Sequence, residues 1–134
     1  MTSLQQDVLI EELVKRTLEN GGLTFDFKNH EFVKPQDYWY FPKYPGLTAI
    51  VDQSELADSL NTFIAANQNL LLEDDVVFGT WVNPKTNKVY IDINTFNKDR
   101  AIALRIAKEL SENQGREIVS MYNPIQEKTE YIDH

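Results

Sequence analysis

The stretch VVFGTWV at residues 76–82, with NPKTNK at 83–88 and VYIDI at 89–93, decides the fold. The first segment is rich in β-branched and aromatic residues, which are enriched in strands. In the third, three apolar residues alternate with Tyr90 and Asp92. Because side chains alternate across a strand, the apolar set faces one way and these two residues face the other. The pattern predicts two strands with one buried face and one outer face.

Turn-forming residues connect the two strands. Pro84 presets a turn dihedral, and Asn87 tolerates the left-handed conformation that a tight turn requires. We therefore predict a β-hairpin at the centre of a sheet. The third helix is expected to pack on this hairpin through an apolar stripe at Ala103, Ile106, Ala107 and Leu110.

Three helices and several further strands surround the hairpin. Helical spacing of apolar residues predicts helices at about 4–19 and 53–67, and a third that Asn97 or Thr95 caps and Gly115 ends. Capping boxes are expected at Ser3–Gln6 and Asp52–Glu55. Further strands are predicted at 23–27, 32–33, 47–51, 117–121 and 129–132. The pattern indicates a single α+β domain over residues 1–134, with a mainly antiparallel sheet and three helices packed on it.

Charge is unevenly distributed along the 134 residues. The net charge is −8, and residues 52–75 hold six acids and no base. These acids are Asp52, Glu55, Asp58, Glu73, Asp74 and Asp75. Direct binding to nucleic acid is disfavoured, because phosphate affinity requires clustered Lys and Arg. A partner with a basic surface is favoured, although excess acid also serves solubility alone.

Composition also limits location and chemistry. The chain has no cysteine, which excludes disulfides and Cys-ligated zinc. The N-terminus is not typical of a signal peptide, and no apolar run reaches membrane-span length, so we expect a cytoplasmic protein. His30 and His134 form no zinc signature. Asp92, Asp74 and Asp75 are the carboxylates that could hold Mg²⁺, but the sequence does not place them in a fixed geometry. No metal or cofactor is therefore predicted.

Residues 38–44 form an aromatic segment, YWYFPKY. Tyrosine and tryptophan are enriched at binding hot spots and also stack on bases. We expect Trp39 and Phe41 to fill the core. The candidate contact residues are then Tyr38, Tyr40 and Tyr44.

Short motifs between Gly79 and Asn123 carry a resemblance. They are Gly79-Thr80-Trp81, Asn83-Pro84-Lys85-Thr86, Val89-Tyr90-Ile91-Asp92, Asp99-Arg100 with Ala103, and Asn113-Gln114. This third of the chain resembles a small module of bacteriophage and mobile-element proteins, with Asn87 where such modules usually have glycine. The resemblance implies a phage or plasmid origin and transfers no active-site residue.

Two hypotheses of function follow. The first is a non-enzymatic accessory protein of phage or mobile-element type that binds a host or phage protein stoichiometrically. In its sharper form the acidic segment inhibits a nucleic-acid-handling enzyme by occupying a basic groove. The alternative is a small enzyme or ligand-binding domain with a carboxylate-lined pocket near Asp92 and Trp81. A deep polar pocket favours the alternative, and a flat negative face favours the first.

Overall fold

The computed structural model describes residues 2–134 and has an α+β architecture, which confirms the predicted fold class. Within these residues, eight strands form one antiparallel sheet and three α-helices pack against it. The helices are α1 (Ser3–Asn20), α2 (Leu56–Ala66) and α3 (Arg100–Gln114). The strands are β1 (Gly22–Asp26), β2 (Glu31–Phe32), β3 (Trp39–Pro42), β4 (Ala49–Val51), β5 (Val77–Val82), β6 (Val89–Asn97), β7 (Ser120–Asn123) and β8 (Lys128–Tyr131).

The helix ends follow local chemistry, with the first cap one residue earlier than predicted. The capping box of α1 is formed by Thr2 and Gln5, not by Ser3 and Gln6, because the helix already begins at Ser3. Gly21 ends α1 at φ 81°, and Gly115 ends α3 at φ 67°. Both positions are left-handed, where glycine has no Cβ to clash.

The predicted caps of the other two helices are wrong. Asp52 precedes a 3₁₀ turn at Gln53–Glu55 that leads into α2, and it makes no capping bond. Its carboxylate instead accepts a hydrogen bond from Lys88 at 2.7 Å. Asp99 caps α3 by accepting from the Ile102 amide, while Asn97 accepts from the Asp99 amide. Asn97 therefore supports the cap without being it.

The hairpin of β5 and β6 lies in the middle of the sheet, as predicted. The strand order is β2-β1-β5-β6-β3-β7-β8. Of the nine residues of β6, the first six, Val89 to Asn94, pair with β5 on one side. On its other side β4 pairs with the first half of β6 and β3 with the second half. Asn87 in the hairpin turn has φ 61°, which confirms the left-handed position.

All three helices cover the same face of the sheet, in two apolar clusters. The cluster under α1 and α2 contains Phe78, Ile91 and Ile93 of the central hairpin. The cluster under α3 contains Trp39 and Phe41, as predicted, together with residues of α3 and the segment after it. Helix α3 also contacts β6, so the prediction that α3 packs on the hairpin is confirmed in part. Its apolar cluster lies mainly on β3 and β7, whereas the helix-facing residues of the hairpin pack under α1 and α2.

The opposite face of the sheet carries no helix in residues 2–134, and we call it the open face. Register pairing places Trp81 of β5 opposite Tyr90 of β6, and Tyr40 of β3 opposite Tyr122 of β7. None of the helices in the described part of the chain combines the length and apolar character that a membrane span requires.

Candidate ligand-binding site on the open face

Strand alternation places polar side chains of β6 on the open face. Ile91 and Ile93 face the helices, so Tyr90, Asp92 and Asn94 point the other way. On β5, Gly79 lies opposite Asp92 and Trp81 lies opposite Tyr90. The outer face predicted from the hairpin sequence is therefore the face that carries the site.

The sheet curls around this face, bringing distant strands together. The ring centroids of Trp81 on β5 and Tyr131 on β8 are 6.3 Å apart, although β6, β3 and β7 lie between them in the sheet. Trp81 also contacts Tyr90, at a centroid distance of 5.2 Å. The ammonium of Lys85 lies 3.7 Å from the centroid of the Tyr131 ring. A row of three aromatic rings thus runs along one side of the curled face.

An open cavity of about 600 Å³ lies along the curled face, and Arg16 and Asn20 of α1 also line it. That volume lies within the range of small-molecule sites, roughly 300–1,000 Å³. Its lining combines aromatic rings, prolines and polar side chains, among them Trp81, Tyr40, Tyr122, Pro42, Asp92 and Asn94. A smaller space of about 60 Å³ adjoins it and shares Trp81 and Asp92. Asp92 therefore lies between the two spaces.

Asp92 is a buried carboxylate, 8% exposed, where the sequence predicted a solvent-facing one. Thr48 donates a hydrogen bond to its Oδ1 at 2.5 Å, and Arg116 donates to the Thr48 carbonyl at 2.7 Å. Burial raises the pKa of Asp92 to about 6, although the Thr48 hydrogen bond and the Arg116 charge oppose that rise. The sequence placed Asp92 on the correct face but could not show that Asp92 is buried there.

Asn94 lies over a glycine that leaves room for it. A side chain at position 79 would clash with the Asn94 amide, which occupies the space beside the glycine. The Asn94 side chain makes no hydrogen bond within residues 2–134 and lines the cavity. Asp92 and Asn94 thus present an acceptor and an amide on one strand, two residues apart.

Lysines from outside the acidic segment neutralise much of it. Lys43 bonds Glu73 at 3.2 Å and Asp75 at 2.9 Å. Lys28 pairs with Asp74, and Lys88 pairs with Asp52. The composition of residues 52–75 does not predict these pairs, because all three lysines lie outside that range. Glu55 and Asp58 remain exposed and form no ion pair within residues 2–134.

The three candidate tyrosines are dispersed. Tyr40 is 8% exposed and belongs to the cavity wall, so it is not the exposed contact residue that the sequence predicted. Burial raises the pKa of Tyr40, and Tyr38 adds to that rise. Tyr38 is half-buried beside it, with ring centroids 6.3 Å apart. Both rings pack near Phe96.

Tyr44 lies in a separate polar cluster. It donates a hydrogen bond to Glu73 at 2.5 Å, which raises the pKa of Tyr44. Burial lowers the pKa of Lys43, but its hydrogen bonds to Asp75 and Glu73 outweigh this and raise it to about 12. This cluster connects the end of β3 to the turn before β5, which is a structural role.

No group of three or more histidine, aspartate or glutamate side chains within residues 2–134 is arranged to hold a metal ion. Comparison with known proteins adds no assignment, since no family model, curated protein or solved structure matches this chain. The function is therefore inferred from the chemistry of the open face.

Proposed function

We propose that this chain is a binding protein that holds a small ligand against the open face of its sheet. The observation that carries the proposal is the open cavity of about 600 Å³ that lies along the curled sheet beside Trp81 and Asp92. A mostly apolar cavity with a few convergent polar groups is the usual form of a ligand site. The open face is neither flat nor pocket-free, so it supports the ligand-binding alternative more strongly than a surface-only interaction.

The polar groups in the cavity serve recognition. Asn94 offers both an amide donor and a carbonyl acceptor, and Asp92 offers an acceptor. The aromatic walls supply a large contact area at low conformational cost, because an aromatic side chain has two rotatable bonds. When no ligand is bound, water can hydrogen-bond to the Asn94 amide, so leaving the amide without a ligand costs little. A ligand that hydrogen-bonds to this amide is held in a fixed orientation.

Saturation-transfer NMR against a panel of small amines, alcohols, carboxylates, sugars and aromatic heterocycles tests the proposal. The blocking variant is Thr24→Trp, because Thr24 lines the cavity and its side chain makes no hydrogen bond within residues 2–134. The matched control is Thr62→Trp on the exposed side of α2. We expect binding that Thr24→Trp abolishes and Thr62→Trp retains. A silent panel, or equal binding by both variants, would contradict the proposal.

Protein binding of phage or mobile-element type is the second candidate, and one observation favours it. Glu55 and Asp58 are exposed at the start of α2 and form no ion pair within residues 2–134. With a net charge of −8, this end of α2 would attract a basic surface. Affinity capture from a host lysate with immobilised protein identifies such a partner. Loss of the captured protein in a Glu55→Lys, Asp58→Lys variant supports the candidate.

A further inference from the structure

The open face has the chemistry of a site for a positively charged group. We propose, on the basis of the proposed ligand-binding function, that the ligand presents an organic ammonium ion to Asp92 and to the rings of Trp81 and Tyr90, which line the same spaces as Asp92.

The first support is the state of the buried carboxylate. Asp92 forms no ion pair within residues 2–134. The guanidinium of Arg116 donates to the Thr48 carbonyl and makes no hydrogen bond or ion pair to the carboxylate, so its charge acts on Asp92 only from a distance. Thr48 occupies Oδ1, while Oδ2 has no hydrogen-bond donor in the described residues. A buried charge without a partner is costly, and a cation in the adjoining cavity would relieve that cost.

Aromatic rings beside the carboxylate supply the second support. Trp81 is the diagonal neighbour of Asp92 across the β5–β6 pair, and diagonal neighbours lie roughly 7–8 Å apart at their backbones. Ring faces attract cations, tryptophan most strongly, and quaternary ammonium ligands are commonly held in aromatic cages. Rings and carboxylate together favour a cation with apolar substituents over a hydrated metal ion.

The protein itself shows that this row accepts an ammonium. The Lys85 ammonium lies 3.7 Å from the centroid of Tyr131, whose ring is next to Trp81. Lys85 is exposed and pairs with no carboxylate within residues 2–134, so the ring is its electrostatic contact. A ligand ammonium deeper in the cavity would meet the same kind of surface, with Asp92 added.

Other charged and titratable groups face the same spaces and restrict the charge of the ligands that can bind there. Those that line the two spaces with Asp92 are Arg16, Lys34, Tyr40, Tyr90, Arg116, Glu117 and Tyr122. Arg16 is already bonded to Glu12 at 2.7 Å and stacked on Phe32 at 3.7 Å. Lys34 lines the larger space and is exposed, so its ammonium is solvated. The negative charge next to the aromatic row is therefore that of Asp92, with Glu117 exposed at the edge of the smaller space.

Isothermal titration calorimetry with choline and its neutral isostere 3,3-dimethylbutan-1-ol tests the proposal. The two molecules have nearly the same shape and differ in charge. We expect choline to bind at least roughly tenfold more tightly, because an ion pair and cation–π contact form only with the charged molecule. N-acetyl-lysine methylamide is the third probe. Tighter binding of that probe than of choline indicates an ammonium presented by a peptide, and the reverse indicates a free small molecule.

Asp92→Asn should reduce choline affinity about tenfold, toward that of the isostere. The charge-matched control is Asp58→Asn, which removes one negative charge from the helix-covered side and should leave choline affinity unchanged. In the wild type, lowering the pH from about 7.5 to about 5 should weaken choline binding roughly tenfold as Asp92 takes up a proton.

Equal affinities of choline and the isostere would overturn the ammonium assignment and leave the ligand-binding function standing. Failure of choline and the lysine probe to bind would overturn the assignment as well. In that case the ligand panel described above decides separately whether the cavity binds anything. Unchanged choline affinity in Asp92→Asn would also overturn the assignment, since the carboxylate would then play no part.

Discussion

The rings of Trp81 and Tyr131 lie with their centroids 6.3 Å apart, although three strands separate β5 from β8 in the sheet. The contact shows that the sheet is curled, and the curl turns an outer face into a cavity. Without it, Trp81, Tyr90 and Asp92 would lie on a flat surface. The site therefore depends on a long-range contact between side chains that are 50 positions apart in sequence.

Tyr131→Ala should loosen this closure and expose Trp81. In a Trp39→Phe background, Trp81 is the remaining tryptophan of the two in the chain, so its fluorescence reports the cavity alone. We expect a red-shifted emission and faster acrylamide quenching in the Tyr131→Ala variant. Tyr38→Ala is the matched control, because Tyr38 packs on Tyr40 and Phe96 and not on Trp81. Equal quenching in the two variants would show that Tyr131 does not close the cavity.

Asp92→Asn should stabilise the protein at neutral pH. Burial raises the pKa of Asp92 from 3.8 to about 6, so the folded state binds the proton more tightly than the unfolded state. The stability linked to this proton is fully present below about pH 4 and is lost as the pH rises through 6. The Asn side chain does not titrate, so the variant does not lose this stability. Its free energy of unfolding should exceed the wild-type value by up to about 3 kcal/mol at pH 8.

Urea denaturation at several pH values measures the difference. The gain of the Asp92→Asn variant should shrink below pH 6 and vanish near pH 4. Asp58→Asn, which removes an exposed charge, should show no such profile. A pH-independent difference for Asp92→Asn would mean that its carboxylate has an ordinary pKa.

Local sequence determined the elements well and the site poorly, for a physical reason. Periodicity and turn chemistry depend on neighbouring residues, and they correctly predicted the central hairpin, the left-handed Asn87 and the end of α3 at Gly115. The enclosure of Asp92 depends on Thr48, which is 44 positions away. No periodic pattern carries that information.

The ion pairs of the acidic segment could not be predicted from the sequence for the same reason. A count of bases within 52–75 does not include Lys43. This lysine follows β3 and pairs with Glu73 and Asp75. Likewise, strand alternation predicted that Tyr40 lies on the other face of the strand from Trp39 and Phe41. It did not show that Tyr40 is also buried on that face.

Ile91→Asp should destabilise the protein by several kcal/mol. Ile91 is fully buried in β6, beneath α1 and α2, and an unpaired charge there is expensive. The control is Ile125→Asp in the β7–β8 turn, where Ile125 is 56% exposed. Thermal denaturation should separate the two variants clearly. Equal melting temperatures would contradict the placement of Ile91 in the core.

Glu55→Lys combined with Asp58→Lys should leave folding intact, because exposed substitutions rarely cost much stability. If a captured partner binds this end of α2, association in surface plasmon resonance should slow strongly and lose its salt dependence. Reversing a charge that is already paired, as in Asp74→Lys, is the comparison and should have a smaller effect. Unchanged association rates in the double variant would show that these acids do not contact the partner.

The two tryptophans test the central claim most directly, because one lines the cavity and the other lies in the core under α3. In a ¹H–¹⁵N NMR titration with the panel molecule that gives the strongest saturation transfer, the indole signal of Trp81 should shift saturably. The indole signal of Trp39 should stay in place. A saturable shift of Trp39 with no shift of Trp81, or no shift of either, would contradict a ligand site on the open face.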